Sequence, residues 1–179
     1  MGGRLIAVVG PSGAGKDRLI AAARKRLAGG GGIIFPRRVI TRPVTPGDEN
    51  HIAMTPEDFA AAEAAGRFAL SWRAHGAAYG IEADIAGLLR AGHSVVVNLS
   101  RDLIAVAHRR FAPLRVVYVH APPAILAARL TARGRETPEQ IARRLARASL
   151  ALPAGGDVVR VENSGPFEPA LEIFMKALR

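Results

Sequence analysis

Eight consecutive residues, Gly10-Pro11-Ser12-Gly13-Ala14-Gly15-Lys16-Asp17, place glycines and one lysine at the spacing G-x-x-x-x-G-K. Glycines permit a tight loop whose backbone N–H groups turn inward, and the N-terminus of a following helix adds positive potential. Both suit phosphate oxygens, and the lysine sets a point charge on a transferring phosphoryl group. The spacing carries weight when a strand precedes it and a helix follows. Here the apolar run Leu5-Ile6-Ala7-Val8-Val9 closes on Gly10, and residues 16–27 have helical spacing. That context favours a phosphate loop over a merely structural glycine-rich turn.

The last loop position departs from the pattern. A serine or threonine hydroxyl usually faces magnesium there, whereas this chain has Asp17. A carboxylate binds magnesium directly or through water. The apolar strand 94–99 carries Asn98 where many phosphate-loop proteins have a metal-holding aspartate, so one carboxylate has in effect moved from strand end to loop; Asp102 is a further metal candidate. Asp17 also suits a first-turn acid stabilised by the helix dipole, and that reading stays open.

Arginines form the second group with chemistry. Arg129 and Arg133 lie four apart, as do Arg143 and Arg147, with Arg144 beside them and the turn Arg133-Gly134-Arg135 between the two helices. Two arginine-bearing helices hinged near Gly134 can close over a nucleotide, expel water and neutralise charge on the phosphoryl group. The competing reading is a pair of solvated helices. The chain carries 25 Lys and Arg against 15 Asp and Glu, a formal charge of +10, and only Lys16, Lys25 and Lys176 are lysines. Arginine forks onto phosphate oxygens, but an Ala-, Gly-, Pro- and Arg-rich composition also follows from GC-rich coding.

The elements that must position these residues alternate. Strands are expected at 5–9, 33–35, 94–99, 115–120 and 157–161, and helices at 16–27, 82–90, 101–111, 123–133, 138–150 and 168–178. Residues 37–53 read as polar and turn-rich. Thr55, Pro56 and Asp58 open a further helix as cap, first residue and capping-box acid, and Gly66 stops it. Segments 68–72 and 77–81 read as antiparallel strands around His75-Gly76. The alternation predicts one α/β domain, a mostly parallel sheet with helices on both faces.

With 179 residues and 49% hydrophobic content the chain can bury a full core. It has no cysteine, hence no disulfide framework or thiolate metal site. The opening residues are too short for a signal sequence, Ile6 breaks a myristoylation pattern and no apolar run has membrane-spanning length, so the expectation is a soluble, cytoplasmic protein without membrane partners. Aromatics amount to 5% and no basic stripe is interleaved with them, which speaks against nucleic acid as a partner. His51, His93, His108 and His120 lack ligand spacing.

Together the loop, Thr41-Arg42, Tyr79-Gly80, the arginine helices and Val161-Glu162-Asn163 resemble the guanylate-kinase superfamily over nearly the whole chain. The resemblance implies a three-layer P-loop NTPase core at 1–36 and 93–179, an acceptor-binding insertion at about 37–92 and a lid at about 133–147. It also implies ATP and Mg2+, with Lys16, Arg133 and Arg144 catalytic and Asp17 on the metal. ATP would be held by Gly10, Pro11, Ser12, Gly13, Ala14, Gly15, Lys16, Asp17, Arg129 and Arg133, with Asn163 beside the adenine. Arg42, Tyr79, His75 and Asn98 fall to the acceptor.

The acceptor site departs from guanylate kinases. Their T-R-x-P-R-x-G-E run has Thr45 in place of its second arginine, and their L-D-I-D strand end is Val97-Asn98-Leu99-Ser100. Asp17, the 41–50 run and Trp72 through Ile81 look closest to the branch that phosphorylates ribose 1,5-bisphosphate. That resemblance implies a base-free sugar phosphate as partner, 5-phosphoribosyl 1-diphosphate as product and a role in phosphonate catabolism, in a monomer or homodimer. A diverged guanylate kinase, a non-catalytic binding module of the same fold and a nucleic-acid binder are the alternatives.

Overall fold

The computed structural model describes residues 3–30, 32–44, 49–134, 137–148 and 157–179, with backbone alone at 147–148. Strand β1 (Leu5–Val9) is wholly buried. It lies at the centre of a parallel sheet in the order β2 (Ile33–Ile34), β7 (Ser94–Asn98), β1, β8 (Leu114–His120), β9 (Asp157–Glu162). In register, Ile6 faces Val96 on one side and Arg115 on the other.

Alternation along β1 divides the core. Ile6 and Val8 join Leu19 of α1 (Lys16–Arg26), Leu126 of α5 (Pro123–Arg133) and Phe174 of α7 (Phe167–Ala177). Leu5, Ala7 and Val9 join Ile85 of α3 (Ile85–Arg90) and Ile104 of α4 (Ile104–Arg110) on the opposite face. A sheet buried on both faces needs central strands that are apolar on both faces, and β1 and the middle of β7 are. Among the described residues no helix is long and apolar enough to cross a membrane.

A second sheet follows the order β4 (Ile52–Ala53), β3 (Val39–Ile40), β6 (Ala77–Glu82), β5 (Phe68–Ala74). Its Leu70 and Ile81 pack into the core beside α3 and α4. The hairpin turn is His75-Gly76, both at positive φ (53° and 77°), as a two-residue turn matched to strand twist requires. Helix α2 (Pro56–Ala64) starts as expected, with Thr55 Oγ1 accepting from the Asp58 N–H at 3.1 Å. A reciprocal box opens α6 (Pro138–Ala148): Thr137 N–H donates to Gln140 Oε1 at 3.0 Å, and Gln140 N–H to Thr137 Oγ1 at 3.3 Å.

Two local expectations are corrected. Glu82 ends a strand rather than opening a helix, because it pairs with Phe68 across the hairpin and the helix begins only at Ile85. The stretch read as turn-rich, 37–53, contains β3 and β4, which pair in parallel; Val39 and Ile40 are buried and supply the apolar contact. Tertiary pairing overrides weak local preference in both cases.

Candidate active site

The loop after β1 is clamped from behind. Gly10 has φ +148°, and a Cβ there would sit 2.0 Å from the Val119 carbonyl oxygen; Gly15 has φ +87°, and a Cβ there would sit 2.4 Å from Asn163 Nδ2. Only glycine fits either place. Asn163 is 5% exposed, with Nδ2 donating to the Ala14 carbonyl at 2.8 Å and its own N–H to the His120 carbonyl at 2.8 Å. Its side chain thus braces the loop from the segment after β9.

Lys16 Nζ curls over the loop and donates to the Gly10 carbonyl at 2.8 Å and the Pro11 carbonyl at 2.9 Å. Burial lowers its pKa to about 8; Asp17 and Glu49 act against that shift, while the positive charges of Arg38 and Arg101 reinforce it. An ammonium held so, among backbone groups at a helix N-terminus, is ready to exchange carbonyl partners for phosphate oxygens.

Asp17 lies in the first turn of α1 and Asn98 ends β7, and the structure brings them together: Asn98 Nδ2 donates to Asp17 Oδ1 at 2.6 Å. The Asp17 side chain is 56% exposed and lies 4.0 Å from Arg38 Nη2. Its hard oxygen donors and exposure fit a divalent cation. Asn98, expected at the acceptor, thus touches the loop residue directly. Asp102 sits in the 3-10 turn Arg101–Leu103, 3.4 Å from Ser100 Oγ. Among the described residues no group of three or more His, Cys, Asp or Glu is placed to hold a metal.

The arginine helices reach the same loop. Arg129 Nη1 donates to the Gly13 carbonyl at 3.3 Å, and Arg144 Nη1 donates to Ser12 Oγ at 2.8 Å. Arg133 lies exposed in the last turn of α5, and Arg143 is exposed on α6. Arg135 and the Arg147 side chain fall outside the described residues, as does Thr45.

On the other side of Asp17 lies the second sheet. Thr41 Oγ1 accepts from the Ala78 N–H at 2.8 Å, which fixes the chain entering Arg42 beside Tyr79. Tyr79 is 8% exposed and stacks on Trp72 with centroids 5.2 Å apart. Arg42 is half-buried, while His75 is exposed at the hairpin tip.

Three side chains carry weight here that sequence reasoning did not assign. Arg38 forms a two-pronged ion pair with Glu49, its Nε donating to Oε1 at 2.8 Å and its Nη2 contacting Oε2, and its guanidinium lies 5.2 Å from the Tyr79 ring centre. His51 is 3% exposed and places Nδ1 3.0 Å from the Glu49 carbonyl and Nε2 3.0 Å from the Arg42 carbonyl, tying the two ends of that segment together. In sequence Arg38 is one arginine among many, and His51 has no spaced partner, so neither carried a signal.

No protein-family model matches the chain. Curated relatives do. It is 47% identical to the ribose 1,5-bisphosphate phosphokinase of Chelativorans sp., covering 99% of this chain and 85% of the relative. It is 53% identical to that of Acidiphilium cryptum, covering 92% and 86%. Among solved structures, a guanylate kinase from Anaplasma phagocytophilum aligns with TM-score 0.69 at 14% identity, over 98% of this chain and 86% of that one. A gluconokinase from Sinorhizobium meliloti aligns at 0.54 and 19% identity, over 97% and 90%. The structural neighbours share the α/β fold, and the curated relatives decide the family: the chain belongs to the ribose 1,5-bisphosphate phosphokinases.

Proposed function

We propose that the chain transfers the γ-phosphoryl group of ATP to the 1-phosphate of ribose 1,5-bisphosphate, giving 5-phosphoribosyl 1-diphosphate and ADP. The observation that carries the reading is the convergence of Lys16, Arg129 and Arg144 on one loop, next to a second sheet with a polar and aromatic surface. Family membership supplies the acceptor.

An ionised 1-phosphate oxygen forms the new bond to the γ-phosphorus. The bond from that phosphorus to the bridging oxygen breaks, and ADP leaves with the electron pair. No proton has to be removed, so no general base is needed. The protein's work is positioning and charge neutralisation. Loop amides and Lys16 hold the β- and γ-phosphates, while Arg129 approaches from α5 and Arg144 from the lid. Arg133, exposed in this structure, joins them on closure. Asp17 is the residue that would hold Mg2+, with Asn98 orienting its carboxylate; the ion supplies further charge neutralisation on the phosphates. Asn163 holds the loop and borders the adenine end. Arg42 and Tyr79 are assigned to the acceptor phosphate, and His75 to the open side of that site. In domain terms, residues 37–92 form the acceptor insertion and 133–147 the lid.

Coupled ADP release with ribose 1,5-bisphosphate and with GMP as rival acceptors tests the reading. Turnover with the sugar bisphosphate at least tenfold above that with GMP is expected. The reverse preference would make the chain a diverged guanylate kinase, and no transfer to either would make it a binding module.

A further inference from the structure

Phosphate groups have Lys16 and the lid arginines, but those contacts leave the sugar unread. A candidate lies at the C-terminal edge of the parallel strands, the edge at which open α/β sheets take their ligands. There the Arg38–Glu49 pair is nearly enclosed, with side-chain exposures of 12% and 15%. Arg38 Nη1 also donates to the Asn98 carbonyl at 3.3 Å, which ties the pair to the end of β7 beside Asp17. The guanidinium lies 5.2 Å from the centre of Tyr79 and 5.9 Å from that of Trp72.

The pair is neutral as a unit. A second phosphate would have to displace Glu49, at the cost of a two-pronged charge-assisted contact. A hydroxyl would not, because each carboxylate oxygen keeps a lone pair after accepting from the guanidinium. With the fork occupying the inner lone pairs of both oxygens, an outer lone pair of one oxygen can accept from one sugar hydroxyl, and stacked rings alongside suit the carbon face of a sugar. Bidentate anchoring removes rotamer freedom before the ligand arrives.

We propose that Glu49 reads the sugar in the acceptor site, its carboxylate accepting a hydrogen bond from the 2-hydroxyl of the ribose, with Arg38 as its positioning residue. The proposal rests on the sugar-phosphate reading above and deepens it: the subsite selects ribose over 2-deoxyribose.

The test compares ribose 1,5-bisphosphate with 2-deoxyribose 1,5-bisphosphate. The wild type prefers the first by on the order of ten- to a hundredfold in kcat/KM, the scale of one hydrogen bond to a charged group. Glu49→Gln lowers that preference below about threefold, chiefly through the KM for ribose 1,5-bisphosphate, while the KM for ATP stays within about twofold. Arg38→Lys keeps the charge, loses the fork and lowers the preference likewise. A wild-type preference under threefold overturns the proposal, and that measurement needs no variant to fold. So does full preference in both variants. A wild type that phosphorylates GMP and neither sugar removes the sugar-phosphate reading itself, and the proposal with it.

Discussion

Loop 10–17 is shaped by its own glycines and by one buried neighbour, Asn163, whereas the opposite side of Asp17 is held by side chains that arrive from positions 38, 49, 72 and 79. The first region is continuous in sequence and ready before any ligand binds. The second exists only because β3, β4, β5 and β6 pair across the chain into one sheet. Damage to the loop should therefore cost chemistry, and damage to the second sheet should cost choice of acceptor.

The largest effect is expected at Lys16. Lys16→Ala should lower kcat by at least about a hundredfold, the scale for removing a group that stabilises transition-state charge, with an unchanged circular dichroism spectrum. A kcat within threefold of wild type under saturating ATP would remove the lysine from the chemistry.

Next come the lid arginines. Arg144→Ala, which loses the contact to Ser12, should reduce kcat by about tenfold and weaken ATP binding less, because closure completes the site only with both substrates present. Arg133→Ala should follow the same pattern more weakly. If both variants lose only ATP affinity, these arginines are static binders and the lid description fails.

Asp17 sits on the border of the two regions, and its effect should be intermediate. Asp17→Asn should raise the Mg2+ concentration for half-maximal rate by about five- to tenfold through loss of a charged oxygen donor. Asp17→Ser with Asn98→Asp should recover more than either change alone, since the two side chains touch and would share one ion. An unchanged midpoint in Asp17→Asn would leave Asp17 as a helix-start acid.

The smallest effect is in pH. Lys16 is uncharged above its lowered pKa of about 8 in the free protein. As pH rises from 7 to 8.5, kcat/KM for ATP should fall by about fourfold, and Lys16→Arg should lose that limb. Stability moves the other way: the folded-state pKa lies below the ordinary lysine value of 10.5, so between about 8 and 10.5 the unfolded chain binds the extra proton and stability rises with pH.

The same contrast explains what could be read in advance. The loop, its flanking strand and helix, the hairpin around His75-Gly76 and the Thr55 cap are local patterns whose physics is complete within a few residues. So is the sheet's apolar continuity. The Asp17–Asn98 contact was inferable because two departures from one motif pointed at each other. Arg38 and Glu49 were not inferable. They lie eleven residues apart in sequence, and only the pairing of β3 with β4 and β6 brings them beside the Trp72–Tyr79 stack. Glu82 misled for a related reason: its strand partner Phe68 lies across a hairpin, beyond the reach of helical periodicity.

Phosphorus-31 NMR of the product made from ribose 1,5-bisphosphate and ATP tests the central claim most directly. Transfer to the 1-phosphate predicts two coupled diphosphate signals, with the anomeric proton coupled to the diphosphate, and an unchanged monophosphate signal from the 5-position. A diphosphate on the 5-position, or inorganic phosphate with ADP and no new diphosphate, would contradict it.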